Sequence, residues 1–280
     1  MKKISLSLIA LFFATSIYAY PPFDFELGAR SSAMGGAYTA VKGDIYAVNY
    51  NPAADVEPHQ AAADFSFGKN FINNASMFGY SGYWDEYQLT GFTGYIKGDN
   101  HKDKYLNLSG AKHHQFSLLP NYTHIGVSLK YIGTDYSNES YSDSAIDIDL
   151  GALHDITDSL SVGASILNVF GSRFYDFKQS RILRLGGAYE YFYDDYNQFA
   201  FSSDIVSSYG KWRLNLGSEY GYLSKYFVRL GYKGNYDDDT GITLGLGWLT
   251  SLFLGKLRLD YSLSEYENED LQKLTVTFNF

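Results

Sequence analysis

The chain has no cysteine, few basic residues and, beyond its first twenty residues, no apolar run long enough to cross a membrane as a helix. The first absence excludes a disulfide framework and a lipid-modified cysteine at the start of a mature chain. The second follows from 22 Lys and Arg against 31 Asp and Glu, a formal net charge of −9, which disfavours nucleic acid or an anionic lipid surface as a partner. No linker, second domain or low-complexity block interrupts the sequence. Nor is there a polar tail: the chain ends on LTVTFNF, where Leu274, Val276, Phe278 and Phe280 alternate with polar residues.

What is present is an aromatic, two-faced pattern. There are 27 Tyr, 20 Phe and 3 Trp, yet mean hydropathy is slightly negative. From about Gln60 onward the period is two. Trp212, Leu214, Leu216, Tyr220 and Tyr222 share one face of WRLNLGSEYGY, and Arg213, Asn215 and Glu219 share the other. Successive side chains of a strand point to opposite faces, so each such segment is a ribbon with an oily side and a polar side. A soluble sandwich and a membrane barrel both make such ribbons. Segment lengths of about 9–11 residues, the span of a tilted strand across a bilayer, favour the barrel. So do aromatics toward the ends of the oily faces, and Gly with charges of both signs on the polar faces.

Fourteen ribbons are expected, near 60–68, 74–83, 86–97, 104–119, 122–133, 143–154, 160–170, 181–193, 198–207, 211–222, 225–235, 240–249, 255–263 and 270–280. The fourth reads equally as two short strands or one bulged strand. The fold class is therefore all-β, a transmembrane antiparallel β-barrel of about 14 strands, with the last strand paired to the first. Phe278 and Phe280 then fit a C-terminal signal for barrel-insertion machinery, and outer-membrane lipids become partners.

The N-terminus divides in two. Lys2 and Lys3, an apolar stretch from Ile4 to Ile17 and the small residue Ala19 read as a signal peptide over 1–19. Residues 20–58 lack alternation and are rich in Gly, Ala and Ser; Ser31 to Val41 suits a short helix stopped at Gly43-Asp44. This segment is expected to be a plug, or hatch, in the lumen at the periplasmic end of a barrel over 59–280; an arm lying beneath the barrel is the other reading.

Chemistry-bearing patterns are weak. Gly28 to Gly36 lacks the preceding strand and Gly-Lys-Ser/Thr of a phosphate loop. His113 and His114 would point to opposite faces. His154 and Ser161 flank a turn without an orienting group or oxyanion donors, so no enzyme is expected, nor any cofactor or metal. Asp147, Asp149, Arg184, Glu190, Arg213, Glu219, Arg229, Lys233, Arg258 and Asp260 all fall on predicted lumen faces. Their mixed signs point to cross-strand ion pairs, a lumen charge ladder, more than to a selective charge ring. Asp147 and Asp149, two residues apart on one face, also suit a cation.

LGARSSAMGGAYTAV, followed by GD and AVNYNPA, resembles the N-terminal signature of the PorV/PorQ group of FadL-like outer-membrane barrels. Gly28, Ala29, Arg30, Ser31, Met34, Gly35, Gly36, Ala37, Asp44, Asn51, Pro52 and Ala53 carry the match. Tyr50 stands where that signature has Trp. IGVSLKYI, LSVGASILNVFG, ILRLGGAYEY, LNLGSEYG, VRLGYKG, ITLGLGW and LRLDYSL follow in the family's order, and residues 70–120 match least. The resemblance implies a 14-stranded barrel with a lumenal N-terminal segment. It also implies an accessory role in protein secretion, with exported proteins or secretion subunits as partners. Alternatively, FadL-type members imply passive uptake of a hydrophobic small molecule.

Overall fold

Residues 26–57, 59–67, 74–97, 101–116, 121–136, 142–174, 177–194, 196–236, 241–266 and 269–280 are described by the computed structural model. The expected leader, residues 20–25 and Pro58 lie outside them.

Alternation closes the sheet. The strands are β1 (Gln60–Phe67), β2 (Asn74–Trp84), β3 (Tyr87–Lys97), β4 (His101–Gln115), β5 (Tyr122–Tyr136), β6 (Ser142–Asp155) and β7 (Leu160–Leu167). Two short strands follow, β8 (Arg173–Phe174) and β9 (Phe177–Lys178). The chain then continues through β10 (Ile182–Phe192), β11 (Asn197–Ser208), β12 (Lys211–Tyr222), β13 (Tyr226–Gly234), β14 (Gly241–Leu252), β15 (Gly255–Tyr266) and β16 (Glu269–Asn279). β8 and β9 pair only with each other; the other fourteen form a closed antiparallel barrel. β1 meets β16 from Gln60↔Asn279 to Phe67↔Gln272, so the terminal strand has no free edge. Phe280 donates its backbone N–H to His59 O at 3.2 Å and its ring lies 6.1 Å from that of Tyr80.

The outer wall carries the oily rows. Ile205, Leu214, Leu216, Val228, Leu230, Leu244 and Leu246 are exposed, with Trp212, Tyr222, Tyr226 and Trp248 toward the strand ends. In water such a belt would be far larger than the apolar patches soluble proteins tolerate. A bilayer covers it, and closure satisfies the backbone groups that hydrocarbon cannot. The chain is thus a transmembrane barrel of outer-membrane type. One end, the turn end, carries Gln60, Asn279 and the short connections at 85–86, 223–225 and 253–254; the other is the loop end, where the longest connection runs over 168–181.

Some boundaries differ from the sequence reading. The fourth ribbon is a single strand that begins earlier and ends at Gln115. β7 stops at Leu167 because Asn168 turns left-handed, φ 57°. The connection after it is not bare loop but contains the β8–β9 ribbon. The helix expected over 31–41 is only α1 (Ala29–Ala33), because Gly35 and Gly36 take φ of 63° and 69° and end it. Asp44 does not stop a helix; its side chain accepts from Tyr46 N at 2.9 Å and caps a 3₁₀ turn over Ile45–Asn49.

Candidate functional site

Residues 26–57 lie among the inward-facing side chains, and nearly all of them are buried. Small residues make this possible. α1 and the turn after it rest on a glycine-lined patch of β12, β13 and β14. A Cβ on Gly35 would stand 2.7 Å from Tyr232 O and 2.8 Å from Leu216 O; one on Gly231 would stand 2.2 Å from Gly35 N. Backbone therefore lies directly on backbone. Thr243 Oγ1 stitches the contact, donating to Ala33 O at 2.9 Å and accepting from Gly35 N at 3.1 Å.

Polar side chains of the wall satisfy the irregular backbone around the lumen, as burial requires. Gln60 accepts from Ile45 N and donates to Gly43 O; Gln88 accepts from Val56 N and donates to Ala54 O. Ser161 and Ser165 donate to Ala40 O and Tyr50 O at 2.8 and 2.6 Å. Asn51, a signature residue, donates to both Thr39 O and Ala152 O, tying the segment to itself and to β6. Pro52 O accepts from Ser109 at 3.4 Å. Further along β2 and β3, past Gln88, the contact is apolar: Tyr46 packs on Phe92 at 5.2 Å, within a cluster holding Met34, Met77 and Ile96.

Two clusters of buried charge help to hold the segment. In the first, Arg30 grips Glu219 with two parallel bonds, Nε to Oε2 at 3.0 Å and Nη2 to Oε1 at 2.8 Å. Glu219 also accepts from Arg229 and meets Arg258 at 3.4 Å, while Asp260 takes Arg229 Nη2 and Arg258 Nε, both at 2.8 Å. Five predicted residues thus converge, with Arg30 from the segment rather than the wall. Such fork-on-carboxylate geometry fixes orientation as well as energy. In the second, Asp204 accepts from Tyr38 N, Thr39 N and Thr39 Oγ1, while Arg184 bonds Asp204 at 2.9 Å and donates to Gly36 O. Asp204 escaped the sequence reading, although Ser202, Asp204 and Val206 form the inward row of β11. Lys130 and Glu26 escaped it too; Glu26 meets Lys233 at 2.8 Å.

The remaining predicted residues lie apart. Asp149 pairs with Lys130 at 2.8 Å and accepts from Asn168 N. Asp147 accepts from the N–H groups of Phe170 and Ser172 at 2.9 and 2.8 Å. These carboxylates anchor the 168–181 connection at the loop end; among the described residues no group of three or more His, Cys, Asp or Glu could hold a metal ion. We expect Asp147→Ala to release this connection locally, at about 1–3 kcal/mol for the orphaned donors, read as faster amide exchange at Phe170 and Ser172. Arg213 donates to Ser208 and lies 4.6 Å from the Tyr236 ring. Glu190, with Glu219 and Arg258, lines a cavity of about 460 Å³ between the segment and the wall at the turn end. His154 and Ser161 do not meet: the first is 3.0 Å from Thr123 Oγ1, the second bonds Ala40.

Asn215 is fully buried on the inward face of β12, and among the described residues neither of its side-chain polar atoms has a hydrogen-bond partner. Replacing it with the similarly sized Leu is expected to raise stability by about 1–2 kcal/mol, because an unmet amide no longer needs desolvating; thermal unfolding in micelles measures it.

No protein-family model matches the chain, and no curated protein sequence matches it. Solved structures do. The CymD monoaromatic hydrocarbon channel aligns over 90% of this chain and 96% of its own, at TM-score 0.60 and 13% identity. The toluene transporter TodX of Pseudomonas putida aligns over 91% and 97%, at 0.56 and 12%. A FadL homologue of Pseudomonas aeruginosa aligns over 91% and 98%, at 0.52 and 11%. At such identities the likeness speaks of architecture, and it leaves the narrower PorV/PorQ resemblance resting on the N-terminal signature and the ordered segments of the sequence. The chain has the FadL-like fold, a fourteen-stranded outer-membrane barrel.

Proposed function

We propose that this barrel is a non-enzymatic, passive conduit for small hydrophobic molecules, with residues 26–57 as the plug that governs passage. The observation that carries the reading is the occupied lumen: a segment seated on glycines and held by the Arg30–Glu219 and Arg184–Asp204 sites. The segment meets the wall through side chains and close packing, with no strand of its own among residues 26–57, so it can leave without breaking a strand ladder. Beyond it, toward the loop end, the aliphatic Ile132, Leu167, Ile182, Val206 and Leu271 face inward among polar groups such as Asp103, Lys130 and Asp149. Apolar positions with a few polar groups between them suit a mainly apolar solute. That CymD and TodX are a monoaromatic hydrocarbon channel and a toluene transporter supports the same class of cargo. The secretion role implied by the N-terminal signature has no comparable support from the structural neighbours named above. The charge sites act here as fastenings of the plug, and Phe278 and Phe280 as the signal read during insertion.

Liposomes test the conduit. The full chain and a variant lacking residues 26–57 are reconstituted and toluene entry is followed. Slow entry with the full chain and faster entry with the deletion is expected. Entry no faster than through empty liposomes in both would refute the conduit, and stable capture of exported proteins by the purified barrel would restore the secretion reading.

A further inference from the structure

The outer wall is not uniformly oily. A groove of about 760 Å³ crosses β10 to β14 near the middle of the belt. Its walls are Tyr189, Phe201, Leu216, Leu230, Tyr232 and Ile242, all exposed. Its floor is made where outward-facing positions carry almost no side chain, at Gly187, Ser203 and Ser218. Register brings these positions side by side: Gly187 pairs with Ser203, Ser203 with Leu216, and Phe201 with Ser218. A Cβ at Gly187 would meet only Ser161 O, at 3.8 Å, so packing does not demand glycine there. The seat of α1 does not explain the small floor either, because that seat uses the inward residues Gly217 and Gly231 of the same strands.

We propose that this groove holds one acyl chain of an outer-membrane lipid as a retained rather than a freely exchanging contact. The groove is continuous with the hydrocarbon-facing belt, so its occupant comes from the bilayer. It is overwhelmingly apolar, and the Ser218 hydroxyl already donates to Leu230 O at 3.1 Å, leaving that part of the floor no polar demand. Water finds too few partners there. An unbranched chain laid between the aromatic and leucine walls gains contact that a flat wall would not give it, and each buried methylene adds to retention. The inference does not depend on the conduit reading.

Native mass spectrometry of the full chain released from membranes into mild detergent tests it. One lipid adduct is expected on the wild type. In Ser203→Leu/Ser218→Leu, whose added side chains fill the floor and remain compatible with lipid, the adduct should fall about tenfold, as losing some two methylenes of burial would give. Tyr232→Ala, which lowers a wall without filling the floor, should weaken it as well. Equal retention in all three proteins, or no adduct on the wild type, overturns the proposal. A lipid-free dimer that Ser203→Leu/Ser218→Leu disrupts also overturns it, since the occupant would then be a second copy.

Discussion

Changing Glu219 to Gln is expected to destabilise the barrel by about 3–5 kcal/mol, the usual consequence of removing one partner from a buried ion pair. The size follows from the company Glu219 keeps. Its side chain is 2% exposed and serves Arg30, Arg229 and Arg258 together. Without its charge, Arg229 and Arg258 share the single carboxylate of Asp260. Arg30 then has no carboxylate partner and only a distant ring contact with Tyr38, at 6.0 Å. Thermal unfolding in micelles should show the loss, and solute leakage through reconstituted barrels should rise. Arg30→Met paired with Glu219→Leu removes both charges and should recover much of the stability, since an apolar pair has no desolvation cost. If Glu219→Gln alone leaves both unfolding and leakage unchanged, the cluster does not fasten the segment.

Gly231→Val should have the largest effect on passage with the least effect on the strands. Its Cβ would fall 2.2 Å from Gly35 N, 2.4 Å from Thr243 Oγ1 and 2.5 Å from Met34 C; the threonine side chain can rotate aside, but the two backbone atoms cannot. β13 keeps its ladder to β12 and β14, and valine suits a strand. The strain therefore falls on the seated segment. Forced overpacking costs about 1–3 kcal/mol, comparable with single fastenings of α1. Toluene entry into liposomes should approach that of the variant lacking residues 26–57, while strand content by circular dichroism stays at the wild-type value. Entry at the wild-type rate would mean the glycine seat is not where the segment is held.

Much of the barrel was legible because lipid and lumen impose opposite demands on alternate residues. The ribbon expected at 211–222 is β12 to the residue, and Leu214, Leu216 and Tyr220 face outward as the pattern requires. Boundaries slipped where a turn is stabilised by something distant. β7 ends early because Asp149, from β6, accepts from Asn168 N, and nothing local to Asn168 announces that. The length of α1 was misjudged for a related reason. Ser31 to Val41 is compatible with a helix by composition, but Gly35 and Gly36 are left-handed where the backbone lies directly on β12 and β13. The same distance in sequence hid the roles of charge. Arg30 and Glu219 lie 189 residues apart, and Asp204 receives the backbone of Tyr38 and Thr39 from 165 residues away or more. Alternation tells that such residues face inward. It does not tell which of them meet.

The absence of cysteine makes one measurement unusually direct. Single cysteines placed one at a time along β12, from Trp212 to Tyr222, carry spin labels free of background reaction, and the protein is returned to bilayers. The account predicts a period-two record. Labels at Leu214, Leu216 and Tyr220 should contact oxygen dissolved in hydrocarbon, while a label at Asn215 should be shielded from oxygen and from an aqueous nickel reagent, because residues 26–57 cover it. An Asn215 label open to the aqueous reagent would contradict the filled lumen, and outward labels open to it would contradict the barrel in lipid.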